Sequence, residues 1–125
     1  MLKVAYVMAG GALGSALRYG ASVWFTSPAG KFPMATFLVN VLGCVLFGFI
    51  AAWVEEIGLV SEELRLFLLV GILGGFTTFS SFGFETMRLF EGGQVNIAIA
   101  YILLSNALGI LAAFGAYRMG LQVFT

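Results

Sequence analysis

Three stretches of this chain carry no charged residue: Phe32 to Val54 with 23 residues, Leu66 to Phe84 with 19, and Gly92 to Tyr117 with 26. A helix needs roughly 20 predominantly apolar residues to cover the hydrocarbon core of a bilayer, so these runs constrain the fold before anything else. A fourth run is charge-free from Val4 to Leu17. Continued through Arg18 to Phe25, it reaches about 33 Å at 1.5 Å per residue, enough to span. Composition agrees, because 61% of the residues are hydrophobic and 10% charged, against about 25% charged in a soluble domain. The expectation is an all-α integral membrane protein, one domain over residues 1–125, with four transmembrane helices at about 3–25, 33–54, 62–90 and 95–119. Ser27-Pro28-Ala29-Gly30-Lys31-Phe32-Pro33, Glu55-Glu56-Ile57-Gly58 and Glu91-Gly92-Gly93-Gln94 supply the turns between them. Lys3 ahead of an apolar stretch imitates a signal peptide, but Arg18 interrupts it and no small-x-small cleavage site follows, so it reads as the first span.

The missing residues exclude whole classes of chemistry. Without His or Asp there is no Ser-His-Asp triad, no His-based metal site and no paired-Asp centre, and an enzyme is not expected. A single cysteine, Cys44, allows no intrachain disulfide or thiolate cluster and reads as a small buried hydrophobe. Six Lys and Arg balance six Glu, leaving no basic surface for nucleic acid.

The placement of those cations matters for orientation. With four spans, Lys3, Arg65 and Arg118 fall on one side and Arg18, Lys31 and Arg88 toward the other. Three against three gives the positive-inside rule almost nothing to act on, which points to insertion in both orientations and so to an antiparallel homodimer from one gene product. No internal inverted repeat is present, so any two-fold arrangement must come from a second subunit. Glycine supplies 17 of 125 residues, about twice its usual share. Gly10-x-x-x-Gly14, Gly71-x-x-x-Gly75 and the pair Gly43 and Gly48 are expected at close helix contacts.

Polar groups at membrane depth cost several kcal/mol unless satisfied, which makes them functional candidates. The sharpest group is Gly74-Gly75-Phe76-Thr77-Thr78-Phe79-Ser80-Ser81-Phe82 in the third span. Two glycines and two adjacent β-branched threonines predict a broken helix there, with freed backbone groups. Phe79 and Phe82 share a helix face and flank the Ser80-Ser81 hydroxyls, so their electropositive ring edges could touch an anion. Thr36 and Asn40 lie one turn apart in the second span, and Tyr101 and Ser105 repeat that spacing in the fourth, followed by Asn106. Two uncharged donor tracks suit a small hydrogen-bond acceptor. Arg18 and Glu85 are the charges nearest the interior. Arg18 reads as a vestibule or structural charge, and Glu85, toward the end of its span, as an ion-pair partner or cap.

These residues resemble a known family. The Gly74–Phe82 string, Gly10-Gly11-Ala12-Leu13-Gly14-Ser15-Ala16-Leu17-Arg18 and Thr36-Phe37-Leu38-Val39-Asn40 are similar to motifs of the Fluc (CrcB) fluoride channels, and the likeness covers the whole chain. The resemblance implies a dual-topology antiparallel homodimer in the cell membrane, inner or plasma, with two fluoride pathways that passively export the ion and lower its cytoplasmic toxicity. It places Phe79 and Phe82 along the pore with Asn40 and Ser81 beside them, and Tyr101 and Ser105 on the polar track. It also implies a structural sodium ion at the dimer centre, held by main-chain carbonyls of Gly74 and Thr77 from both subunits. Ser81 stands where threonine is usual, Ala35 replaces a common glycine, and Gly109 occupies a position that is often polar. The rival reading is a small dual-topology proton-coupled exporter. Such a protein needs a titratable carboxylate deep in the bundle, and the first, second and fourth spans have none.

Overall fold

A computed structural model describes residues 1–125 as helices joined by short turns. Helix α1 covers Leu2–Trp24 and α2 covers Met34–Ile57. Helix α3 starts at Glu62–Arg65, widens into a π-helical stretch over Leu66–Leu73 and ends at Gly74–Phe76. Helix α4 covers Phe79–Glu91 and α5 covers Val95–Phe124.

The boundaries follow local chemistry. Pro33, which cannot donate a backbone hydrogen bond, immediately precedes α2. Gly58 ends α2 in the left-handed region at φ 63°. Ser61 caps α3 by accepting from the Leu64 amide at 3.2 Å, with Glu62 and Glu63 at the positive end of the helix dipole.

Helix α2, the interrupted run Glu62–Glu91 and α5 are long and apolar enough to cross a membrane, with mean hydropathies of 2.3, 1.7 and 2.2. Helix α1 has 23 residues, but Lys3, Arg18 and several glycines dilute its apolar character, so three of the four expected spans meet that measure. The predicted break is present: backbone torsions turn extended at Thr77, φ −77° and ψ 157°, and at Thr78, φ −152° and ψ 116°.

Two helix pairs build the bundle, α1 along α3 and α2 along α5. A Cβ on Gly10 would lie 2.4 Å from the Phe67 carbonyl oxygen, and one on Gly14 would lie 2.1 Å from that of Ile72. These helices therefore meet backbone to backbone, as close small-residue packing allows. On the other pair, a Cβ at Gly48 would lie 2.2 Å from the Ala113 carbonyl oxygen. The interior is narrow. Tyr101 is the largest fully buried side chain, packed with Leu89 and Ala98 and surrounded by Phe32, Phe37 and Phe82. Leu103, Ile110, Leu111 and Phe114 on α5 point outward, as do Val4, Met8, Leu13 and Leu17 on α1. Apolar surface on this scale belongs in lipid or against another subunit.

Candidate functional site

The break between α3 and α4 organises the site. Interrupting a helix frees amides and carbonyls that need partners. Asn40, on α2, meets that need at Thr78: its Nδ2 donates to the Thr78 carbonyl at 3.0 Å, and its Oδ1 accepts from the Thr78 amide at 2.8 Å. Thr78 in turn caps α4, its Oγ1 accepting from the Ser81 amide at 3.2 Å. Both the Thr77 amide and its hydroxyl donate to the Leu73 carbonyl, at 3.0 and 2.9 Å. Arg18 Nε donates to the Gly75 carbonyl at 3.1 Å, so this cation holds freed backbone.

This rearrangement singles out two oxygens. In an unbroken helix the Thr78 amide would serve the Gly74 carbonyl, and the Ser81 amide would serve that of Thr77. Here Asn40 and the Thr78 hydroxyl take those amides, leaving the Gly74 and Thr77 carbonyls without partners in the chain. Uncommitted main-chain oxygens suit a hard cation, and unwound carbonyls are the groups that coordinate sodium in broken membrane helices. No cluster of His, Cys, Asp or Glu offers an alternative side-chain site. The Gly74 and Thr77 pair therefore fits sodium in donor type, while two oxygens fall short of a complete coordination shell.

A second cluster lies farther along α4. Glu85 Oε1 accepts from the Thr36 hydroxyl at 2.7 Å, and Oε2 accepts from the Tyr101 hydroxyl at 2.7 Å. The structure thus differs from the reading of Glu85 as an ion-pair partner or end cap. Its carboxylate sits between α2 and α5, where hydroxyls are the available donors, and the ion pairs are instead Lys3–Glu62 and Arg88–Glu91. The hydroxyl protons of Thr36 and Tyr101 are consequently committed to Glu85. The Tyr101 ring packs on Phe82 with centroids 5.0 Å apart, and Phe82 lies 5.6 Å from Phe79.

Three recesses link these groups. One of about 720 Å³ opens at the turns, with Lys31, Arg88 and Gln94 at its rim. It shares Ser22, Ala35, Thr36 and Glu85 with a recess of about 350 Å³ that also contains Arg18, Ser81 and Thr78. Thr78 also lines a third, of about 460 Å³, together with Asn40, Phe79, Phe82, Ser105 and Asn106 and no charged residue. Ser105 Oγ is buried there without a hydrogen-bond partner. Ser81 Oγ accepts from the Thr78 hydroxyl at 3.1 Å, which leaves its own proton free.

The structure therefore gathers Asn40, Phe79, Phe82 and Ser105 in one recess with Gly74 and Thr77, and Arg18, Thr36 and Ser81 in the neighbouring one. Tyr101 bridges them through its ring and hydroxyl. Sequence reasoning gave Thr78 no role of its own and assigned Glu85 a different one. A signal for each exists: Thr78 stands three residues before Ser81 at a helix start, the spacing of a hydroxyl cap, and Glu85 follows Phe82 by three on the same helix face.

Comparison with known proteins finds relatives of this chain. The CrcB-like protein family, Camphor Resistance (CrcB), matches residues 5–117. A fluoride-specific ion channel FluC of Thermus thermophilus is 50% identical over 115 residues, covering 91% of this chain and 90% of that protein. The FluC of Agrobacterium fabrum is 42% identical over 125 residues, 99% of this chain and 100% of its own length. That of Rhizobium meliloti is 45% identical over 120 residues, 95% and 96% of the two chains.

Proposed function

The chain belongs to the CrcB family, and on that premise we propose that it is a passive fluoride-selective channel, multi-pass in the cell membrane, that lets fluoride leave the cytoplasm down its electrochemical gradient. It is a conduit rather than an enzyme, as its relatives are named. What carries this reading is the meeting of two donor-lined recesses at Thr78, in the break of a helix otherwise apolar enough to span. Fluoride is small and strongly hydrated, so a pore must replace its water with dense hydrogen-bond donors while leaving each site weak enough for exit. The free hydroxyls of Ser81 and Ser105 supply donors, and the edges of Phe79 and Phe82 supply positive ring hydrogens. In this reading Asn40, Thr36 and Tyr101 shape the path, the latter two by holding Glu85. Arg18 offsets the Glu85 charge in the recess they share, so the anion meets neither a strong trap nor a bare carboxylate.

The same proposal includes a second copy of the chain. All 125 residues form one four-helix unit with α1 as the fourth span, and two such units pair antiparallel. Balanced Lys and Arg counts favour two orientations, and Phe79, 80% exposed in one chain, needs a neighbour to become part of a pore wall. Sodium at the centre of the pair would be held by the Gly74 and Thr77 carbonyls of both copies, where it would neutralise oxygens that the break leaves bare.

The test is fluoride efflux from liposomes containing the purified protein, followed with a fluoride electrode beside a matched chloride experiment. Rapid electrical fluoride leak with negligible chloride leak is expected. No fluoride leak from well-folded protein with sodium present overturns the proposal.

A further inference from the structure

The side chain of Asn40 spends both ends of its amide on one residue, Thr78. That two-point contact holds the break in a single geometry. An unbroken helix would return the Thr78 amide to the Gly74 carbonyl and cover the oxygen that is left bare here. Asn40 competes directly with that closure, because its Oδ1 occupies the Thr78 amide at 2.8 Å. The amide orientation is unambiguous, since exchanging O and N would set donor against donor and acceptor against acceptor. No other side chain binds both backbone groups of one residue at the break: Arg18 reaches only the Gly75 carbonyl, and Thr78 Oγ1 only the Ser81 amide.

We propose that Asn40 is a positioning residue for the cation site, setting sodium affinity from a distance by keeping the Gly74 carbonyl free of the Thr78 amide. The inference rests on the sodium reading above and adds a coupling: one residue lines the anion recess and also tunes the structural cation. Cation binding and the Asn40–Thr78 contact favour the same broken backbone, so each strengthens the other by linkage. Removing the amide lets the closed helix compete, and the cation must then overcome that closure before binding.

The experiment measures the thermal unfolding midpoint of detergent-solubilised protein against sodium concentration, with N-methylglucamine keeping ionic strength constant. A ligand that binds only the folded state raises stability as RT ln(1 + L/Kd), with L its free concentration, so the sodium concentration at which the midpoint begins to climb yields a half-saturating value independent of flux. For Asn40→Leu, which keeps the branched heavy-atom skeleton and loses both contacts, the half-saturating sodium is expected to rise about tenfold. Enough sodium should restore the wild-type midpoint. Asn40→Gln, which keeps the amide on a longer arm, is expected to fall between. A wild-type curve that ignores sodium overturns the cation reading and this inference with it. A sodium-dependent wild type with unshifted Asn40→Leu overturns this inference alone. Hydrogen exchange of the Thr78 amide in the unmodified protein gives a second reading: sodium should slow it roughly tenfold, and equal exchange with and without sodium refutes the coupling.

Discussion

A Cβ on Gly43 would lie 2.1 Å from the Thr77 Cγ2 methyl, while the next nearest atoms, Thr77 Cβ at 3.6 Å and Phe76 Cδ1 at 3.7 Å, are at ordinary contact. For Gly43→Ala, then, one methyl group blocks the substitution, and it must retreat by roughly 1.5 Å to reach normal carbon–carbon distance. Thr77 can yield by rotating its side chain, which breaks the Oγ1 bond to the Leu73 carbonyl at about 1 kcal/mol. Alternatively α2 can shift as a body, with the about 1–3 kcal/mol cost of overpacking. Alanine returns about 1 kcal/mol through its better helix propensity. Set against the alanine gain, these costs leave a net loss of up to about 2 kcal/mol, expected as a lower thermal midpoint in detergent, with reduced fluoride flux because Thr77 sits at the break. Thr77→Ser removes Cγ2 and keeps the hydroxyl, so the double variant should regain most of the loss. The single variants and the double form a cycle, and a coupling energy below about 0.5 kcal/mol refutes the reasoning that this one methyl is the obstacle.

Glu85→Gln keeps a hydrogen-bonding group between Thr36 and Tyr101 and is expected to leave substantial fluoride flux; abolished flux in protein that still pairs would instead favour the proton-coupled exporter. Ser105→Ala deletes a buried hydroxyl with no partner, so stability should stay level or rise by up to about 1 kcal/mol while fluoride efflux falls roughly tenfold. Efflux equal to wild type would remove Ser105 from the pathway. Single cysteines placed near position 30, in a background lacking Cys44, should fail to cross-link across one end of the dimer if the copies are antiparallel; efficient pairing at that end in every dimer excludes dual topology.

Features whose cause is local were legible in the sequence. Charge-free runs announce α2 and α5, Pro33 and Gly58 mark helix ends, and Gly74-Gly75 with Thr77-Thr78 announces the break, because each acts through its own backbone or its neighbours in the chain. The glycine pairs were legible as close contacts, though not which helices they join; only the fold shows Gly10 and Gly14 against the Phe67–Ile72 backbone. Partners distant in sequence were not legible. Asn40 is 38 residues from Thr78, and Thr36 is 49 from Glu85, so neither hydrogen bond leaves a periodic trace. Both Thr36 and Asn40 read as free donors for an anion, whereas the folded chain has already spent the Thr36 hydroxyl and, on Asn40, the amide oxygen and one of its two N–H protons.

A break at membrane depth has to account for every backbone group it frees, since an unpaired one costs several kcal/mol there. Asn40 takes the Thr78 amide and carbonyl, Thr78 Oγ1 takes the Ser81 amide, and Arg18 takes the Gly75 carbonyl. Of the carbonyls whose usual amides are diverted, those of Gly74 and Thr77 are left open. Those two residues line the same recess as Phe79, the most exposed aromatic ring at the break, and as Phe82 and Ser105. Whatever completes the carbonyls from outside the chain therefore also sits beside the proposed anion path. On the proposed reading, assembly, cation binding and conduction would share one surface, and a substitution that loosens the break should lower all three together. Flux measured without sodium affinity and oligomeric state alongside would assign to the pore what belongs to the break.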